Sequence, residues 1–470
     1  MRKTCPEHGE FTELVWSDSD QYKRAARFDY LGTKLDNTQT KVDKGCPYDC
    51  GICPDHKSHT VLAIIDVTNR CNLRCPICFA HAGAMGYLYE PSKDEIRSAL
   101  KNLRSNTPIP PPAIQFSGGE PTVRDDLPEL VDMAIDLGFI HVEINSNGVR
   151  MAESIDYCRE LKDVGVSTIY LQFDGVTPEP YRFARGVDLL PIKMKALRNL
   201  KEAGFRSIVL VPVLVKGVND DQVGDIIQFG MDHHEIVRAV NFQPVSFTGR
   251  ISKKERDNMR ITIPDLMRLV EEQTKGLIKE SDWFPVPTAN PFTKLIGSLK
   301  GMKYVDFNAH PHCGMATYLI VEEGKSKPIT DYMDINKFID SVVAMNQTIE
   351  KGHKTRAKIE MATNAVRNID LGLFRKYIIP IIRSGDYKSL SELHHKMIMV
   401  GAMHFMDPYN FDMERSSRCV IHYAIPDGRI IPFCTMNTLH RPSVEEEFAK
   451  PLDPSDLTPM ADIKAILEDK

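Results

Sequence analysis

The run Leu62-Ala63-Ile64-Ile65-Asp66-Val67 passes through Thr68-Asn69-Arg70 into Cys71-Asn72-Leu73-Arg74-Cys75-Pro76-Ile77-Cys78-Phe79, so a short apolar segment is joined to a loop bearing three cysteines. An apolar run of this length, rich in β-branched residues, reads as a buried strand. Thiolates spaced by three and then two residues suit three irons of a four-iron cluster, leaving one iron open to a small chelating ligand. Zinc accepts the same spacing, but a structural zinc site wants a fourth protein ligand. The local run supplies no obvious one, so a distant cysteine would have to serve.

Working outward, five more β-rich runs alternate with amphipathic stretches: Ala113–Phe116, Phe139–Asn145, Ser167–Phe173, Ile208–Leu214 and Ala239–Gln243. Ser92-Lys93-Asp94-Glu95 has capping-box spacing, and Ile96, Leu100 and Leu103 follow at helical intervals. Leu127, Leu130, Val131, Ala134 and Ile135 form an apolar stripe that stops at Gly138. Strand and helix repeated six times predicts an α/β fold with parallel strands, a partial (β/α)6 barrel. Residues 1–58 carry four cysteines without sustained periodicity and are expected to form a cap that leans on metal. The expected divisions are therefore a Cys-rich cap at 1–58, the barrel at 59–250 and a mainly helical, Cys-bearing extension at 251–470. Within that extension, 262–281 and 333–400 read as helical, and Arg418–Cys434 reads as two strands around Pro426-Asp427-Gly428.

Composition narrows the function classes. With 42% hydrophobic and 26% charged residues and a net charge of −5, the chain has the balance of a soluble globular protein and no positive field for nucleic acid. The longest apolar runs fall far short of the roughly 20 residues that span a bilayer. Residues 1–13 lack an apolar leader core, so a cytoplasmic location is expected, with peripheral membrane contact as an added option. Eleven cysteines, most of them in clusters, point to metal or catalysis rather than disulfides in a reducing compartment.

Ligands of parallel-strand barrels gather at the C-terminal strand ends. The cysteine loop lies at one such end, and Ser117-Gly118-Gly119-Glu120-Pro121 lies at the next. Paired glycines permit close backbone approach and would suit the amino group of a cofactor, although Gly-Gly is also a plain turn. Cys46, Cys50 and Cys53 repeat the three-then-two spacing and are read as an auxiliary iron-sulfur site, with zinc as the alternative. Cys313, Cys419 and Cys434 are candidates for a second one, the hairpin bringing the last two together; ordinary burial is the alternative. Cys5 in Cys5-Pro6-Glu7-His8-Gly9 resembles half of a rubredoxin-like site, and Cys158 falls on an apolar helical face as a core residue.

The cysteine loop, the Ser-Gly-Gly-Glu-Pro segment and the six strand-helix units together resemble the radical S-adenosylmethionine (radical SAM) superfamily over residues 60–250. The resemblance implies a [4Fe-4S] cluster on Cys71, Cys75 and Cys78, S-adenosylmethionine, and a reducing donor such as ferredoxin or flavodoxin. It places Ser117, Gly118, Gly119 and Glu120 at the methionine moiety, Asn147 and Asp174 at the ribose, and the backbone of Val213 at the adenine. Asn-Gly and Asp-Gly are also common turns.

Gly45–Pro54, Gln243–Arg250, His312–Gly314 and Met403–Asn410 further resemble archaeal tetraether lipid synthases, from about residue 45 to 440. That implies joining the terminal carbons of isoprenoid lipid chains, aided by one or two auxiliary clusters. Met397, Met399, Met403, Met406 and Met413 would suit such chains, while a methionine stripe is more often core. The same family has been read as methylating a pterin precursor of methanopterin, which is the alternative reaction. A non-catalytic iron-sulfur or zinc protein is the alternative from another class. A long apolar tunnel reaching the open iron would support lipid, and a short pocket with convergent hydrogen-bonding groups would support pterin; the tunnel is expected.

Overall fold

The computed structural model describes the chain apart from residues 84, 253, 302, 323, 354–395 and 469–470. Its centre is the expected parallel sheet. Strands β1 (Leu62–Thr68), β2 (Ala113–Gly118), β3 (His141–Ser146), β4 (Thr168–Gln172), β5 (Ile208–Val211) and β6 (Val237–Pro244) pair in chain order, each parallel to the next. Helices α1 (Lys93–Arg104), α2 (Leu127–Asp136), α3 (Ile155–Asp163), α4 (Pro178–Arg185), α5 (Leu190–Glu202) and α6 (Val223–Asp232) fill the crossovers. The capping box at Ser92 forms, with Glu95 reaching back to the cap backbone. Gly138 ends α2 at φ +92°, where a side chain would strain the turn. The expected fifth strand is divided because Pro212 has no N–H for the ladder; Val213–Leu214 resumes pairing with β6.

The segment after residue 250 departs from the expectation. It holds the helices Ile263–Gln273 and Ile335–Glu350, but it also lengthens the sheet at both edges. Strand β7 (Gly314–Glu322) runs antiparallel to β8 (Met397–Met403), and β8 runs parallel to β6. On the other edge β9 (Ile421–Ala424) runs parallel to β1, and β10 (Ile430–Pro432) folds back on it as the expected hairpin. Met397–Met403 is thus a strand and not the end of a helix, because its partners β6 and β7 satisfy its backbone. The remainder of the helical reading of 333–400, from 354 to 395, lies outside the described residues.

In the first segment a hairpin (Arg2–Cys5 with Gly9–Thr12) and the helix Ser19–Ala26 add regular structure to the expected loops. Arg24 ties that helix to the main body by donating to the carbonyls of Glu280, Ser281 and Trp283. Among the described residues no helix is long and apolar enough to cross a membrane.

Strand alternation decides what each face does. Ile65, Phe116, Ile144, Leu171, Leu210 and Phe242 point outward and are buried beneath the helices. Their alternates, including Ile64, Gln115, Glu143, Tyr170, Val211, Asn241 and Met399, line one shared cavity, so the sheet curls around a lumen as a partial barrel. Truncating a fully buried aromatic on the outer face leaves a void the helices cannot close. Phe242→Ala is therefore expected to lower stability by about 3–5 kcal/mol, read from the urea midpoint.

Candidate active site

The cavity, about 390 Å³ in volume, opens against the cysteine loop, and Cys71, Cys75 and Cys78 all line it. This loop is pressed between two others. A Cβ added at Gly118 would sit 2.2 Å from the Thr68 carbonyl oxygen, and one at Gly119 would sit 2.2 Å from that of Arg70. The amides of Gly119 and Glu120 donate to those same carbonyls at 2.7 and 2.9 Å. On the other side, Cys78 and Arg250 exchange backbone hydrogen bonds at 2.9 and 2.8 Å, and a Cβ on Gly249 would meet the Cys78 and Phe79 carbonyls at 2.4 Å. The Gly-Gly pair is explained first by this packing, and its Gly119 and Glu120 amides are already committed to the cysteine loop.

Glu120 has a similar bracing part. Its carboxylate, 1% exposed, accepts from the Thr122 amide and hydroxyl, the Ser146 hydroxyl and the Asn147 amide, which locks the ends of β2 and β3 together. Burial pushes this carboxyl above its usual range against the pull of those donors. Asn147 lines the cavity, donating to Asn72 at 2.8 Å and accepting from the Val149 amide through its side-chain oxygen. Ser117 and Val213 also line the cavity.

Asp174 does not line it. Both carboxylate oxygens are taken by Arg185, at 2.7 and 2.8 Å, and the side chain is wholly buried. The group this presents to the cavity is the Arg185 guanidinium, whose ion pair and hydrogen bonds with Asp174 outweigh burial and hold its proton more firmly than usual. Arg185 was missed in the sequence because an arginine ending a helix looks like a surface residue. Burial raises the thiol pKa of Cys71 and Cys75 above the ordinary value, while the positive charges of Arg185 and Lys193 favour the Cys75 thiolate. Metal binding must draw those protons off.

Lys193 is fully buried and donates to the Asn147 carbonyl and, at 3.0 Å, to Gln172 Oε1. Burial brings its pKa down to about 7. The unfolded chain keeps that proton up to about pH 10.4, so between about 7 and that value it binds more protons than the folded chain, and stability rises with pH. In metal-free protein the buried thiols pull the opposite way as pH rises and are shared by both proteins, so the readout is the difference between wild type and Lys193→Met: urea midpoints from pH 7 to 9 are expected to shift in favour of wild type by up to about 1.4 kcal/mol per pH unit.

The other cysteines fall into two groups. Cys46, Cys50 and Cys53 share one loop near enough to feel one another's charge, and Asp49 accepts from the amides of Asp43, Lys44 and Gly45 to shape it. Burial raises the Cys50 thiol to about 12. Cys313, Cys419 and Cys434, far apart in sequence, come near enough to feel one another's charge, buried Arg415 lies against Cys313 and Cys434, and Cys434 reaches the cavity wall. Burial pushes Cys434 up to about 11, with Arg415 drawing it back. Among the described residues no three His, Cys, Asp or Glu side chains are gathered closely enough to grip a single metal ion. Cys5 lies 3.3 Å from His8 Nδ1, and Cys158 is core, donating to the Met151 carbonyl.

The cavity differs from the apolar tunnel the sequence leads one to expect, because polar side chains of the barrel strands make up one of its walls. Its β2-to-β6 wall carries Gln115, Glu143, Asn145, Tyr170, Asn241 and Gln243, whereas the opposite wall is apolar, with Met399, Met403, Phe405, Met406 and Phe433. The available signal was the strict alternation Val142-Glu143-Ile144-Asn145 and its like in the neighbouring strands. Of the singled-out methionines, Met399, Met403 and Met406 line the cavity, and Met413 is exposed.

Residues 65–230 match the model of the radical SAM superfamily. A Methanocaldococcus jannaschii protein named 7,8-dihydro-6-hydroxymethylpterin dimethyltransferase is 51% identical over 464 residues, covering 96% of this chain and 91% of that one. A probable GTP 3′,8-cyclase of Methanothermobacter marburgensis is 30% identical over 40% of this chain and 59% of its own. The solved structure of Streptococcus suis SuiB bound to S-adenosylmethionine aligns over 46% of this chain and 48% of its own at 19% identity, with a TM-score of 0.37. The family model agrees with the superfamily expectation, and the name of the Methanocaldococcus relative agrees with the pterin alternative and not with the expected tetraether lipid chemistry.

Proposed function

The chain belongs to the radical SAM superfamily, and within it we propose an enzyme that methylates a pterin of the 7,8-dihydro-6-hydroxymethyl type. The observation that carries this reading is identity of 51% along nearly the whole chain to a relative of that name. The polar wall of the lumen supports it, since a flat heterocycle needs convergent hydrogen-bonding groups.

When bound, the four-iron cluster and S-adenosylmethionine supply a reducing electron and a deoxyadenosyl radical able to take hydrogen from unactivated carbon. The protein's share is binding, orientation and exclusion of water. Cys71, Cys75 and Cys78 fit as the cluster's three ligands, because one clamped loop brings all three to the cavity wall. Arg185, fixed by Asp174, is suited to neutralise a carboxylate beside them. Asn147 and the backbone around Val213 are the candidate contacts to the nucleoside. The Cys46 loop and the Cys313, Cys419 and Cys434 group are candidates for auxiliary clusters, and a ferredoxin- or flavodoxin-type protein is the candidate donor.

A second reading, coupling of isoprenoid chain ends, is favoured by one observation: the methionine and phenylalanine wall of the same cavity. Anaerobically reconstituted protein with dithionite, S-adenosylmethionine and the dihydropterin separates the two. The expected outcome is a methylated pterin by mass spectrometry together with deoxyadenosine. An unchanged pterin, with hydrogen loss and joining of added isoprenoid lipids, would establish the second reading instead.

Replacing Cys71, Cys75 or Cys78 with Ala is expected to cut deoxyadenosine formation by more than about 100-fold, exceeding the loss typical of a group that only orients a metal ligand. Cys313→Ala, Cys419→Ala or Cys434→Ala is each expected to lower bound iron by about four atoms per chain. Cys158→Ala is expected to leave the iron content unchanged.

A further inference from the structure

The lumen of a strand-helix barrel is normally filled by branched apolar side chains. Here strands β2, β3, β4 and β6 replace them with polar ones, while β5 between the last two keeps Val211. Gln115 Nε2 donates to Glu143 at 2.8 Å, and the His141 ring nitrogen holds the other Glu143 oxygen at 3.0 Å from the barrel's lower end. Asn145 donates its amide to the Ser117 hydroxyl at 3.2 Å, and Asn241 donates to the Tyr170 hydroxyl. Each of these three amides gives one of its two N–H groups to a neighbouring protein group. The amide carbonyl oxygens of Gln115, Asn145 and Asn241 and the Glu143 carboxylate remain as acceptors in a wall that lines the cavity.

Such a wall has a definite complement. Acceptors removed from bulk water carry a desolvation cost unless donors meet them. A carboxylate accepts two parallel N–H bonds from a planar group of the guanidine kind. Pterins offer that pattern at the ring N3–H and the 2-amino group.

We propose that Glu143 is the specificity-determining residue for substrate, its carboxylate reading the 2-amino and N3–H edge of a 2-amino-4-oxo pyrimidine ring while Gln115 and Asn145 frame it. This rests on the pterin reading above and deepens it. His141, hydrogen-bonded to Glu143 and 3.3 Å from the Thr168 hydroxyl, keeps the carboxylate in place and does not line the cavity.

The test titrates reconstituted holoenzyme, with S-adenosylmethionine present, against 6-hydroxymethyl-7,8-dihydropterin and against its analogue with oxygen in place of the 2-amino group, following pterin fluorescence. Wild-type protein is expected to bind the 2-oxo analogue about 10- to 100-fold more weakly, the range for hydrogen bonds to a charged partner. Glu143→Gln is expected to lose that discrimination, binding the two ligands within about twofold of each other. Equal binding of both ligands by wild-type protein, or discrimination retained in Glu143→Gln, overturns the assignment of Glu143 and leaves pterin methylation standing. A wild-type holoenzyme that binds neither ligand overturns the assignment and the pterin reading together. The analogue comparison on wild-type protein needs no variant to fold.

Discussion

The structure turns on a backbone contact that leaves no room for side chains. The cysteine loop lies directly against the Gly118-Gly119 turn on one side and the Gly249 turn on the other, with carbonyl oxygens where any Cβ would be. Main-chain hydrogen bonds across both seams hold the loop without relying on long flexible groups. Three thiolates on a loop of eight residues would otherwise sample many arrangements, and a metal cluster demands one. The ends of β2 and β3 are then joined by Glu120, so the seam is tied into the sheet itself.

From that seam the charge pattern of the mouth follows. Burial disfavours ionised groups there, and the protein answers with pairs or dense hydrogen bonding: Asp174 is held by Arg185, Glu120 by four neutral donors, and behind them Arg441 pairs with Asp66 and Glu445. A buried ion pair of this kind is weak evidence of stability but fixes geometry well. Arg185 is the clearest case, since both its direction and its charge are set by a carboxylate that never reaches the cavity.

The lumen joins two unlike surfaces. Strands β2 to β6 contribute amides, a tyrosine and a carboxylate, and burial raises the Tyr170 hydroxyl to about 12, so it remains a neutral donor. Strand β8 and the segment around Phe405 and Phe433 contribute sulfur and aromatic carbon. A ligand there would meet one polar edge and one apolar face. Cys434 stands in the apolar wall, so the second cysteine group borders the same space.

Local chemistry made much of this legible in the sequence. Period-two and period-3.6 patterns, a capping box and a Pro-Asp-Gly turn each depend on a few neighbouring residues, which is why the six strands, their helices and the C-terminal hairpin were readable. The cysteine triads were readable for the same reason, their spacing being fixed by one loop. What only the tertiary structure decided involves partners far apart in the chain. Met397–Met403 became a strand because β6 and β7 met it, Arg418–Cys434 brought its cysteines to Cys313 through docking onto β1, and Asp174 was turned from a cavity ligand into a buried brace by Arg185. Side-chain direction across a curved sheet is a property of closure, so the two-faced lumen exists only once the strands have curled around it.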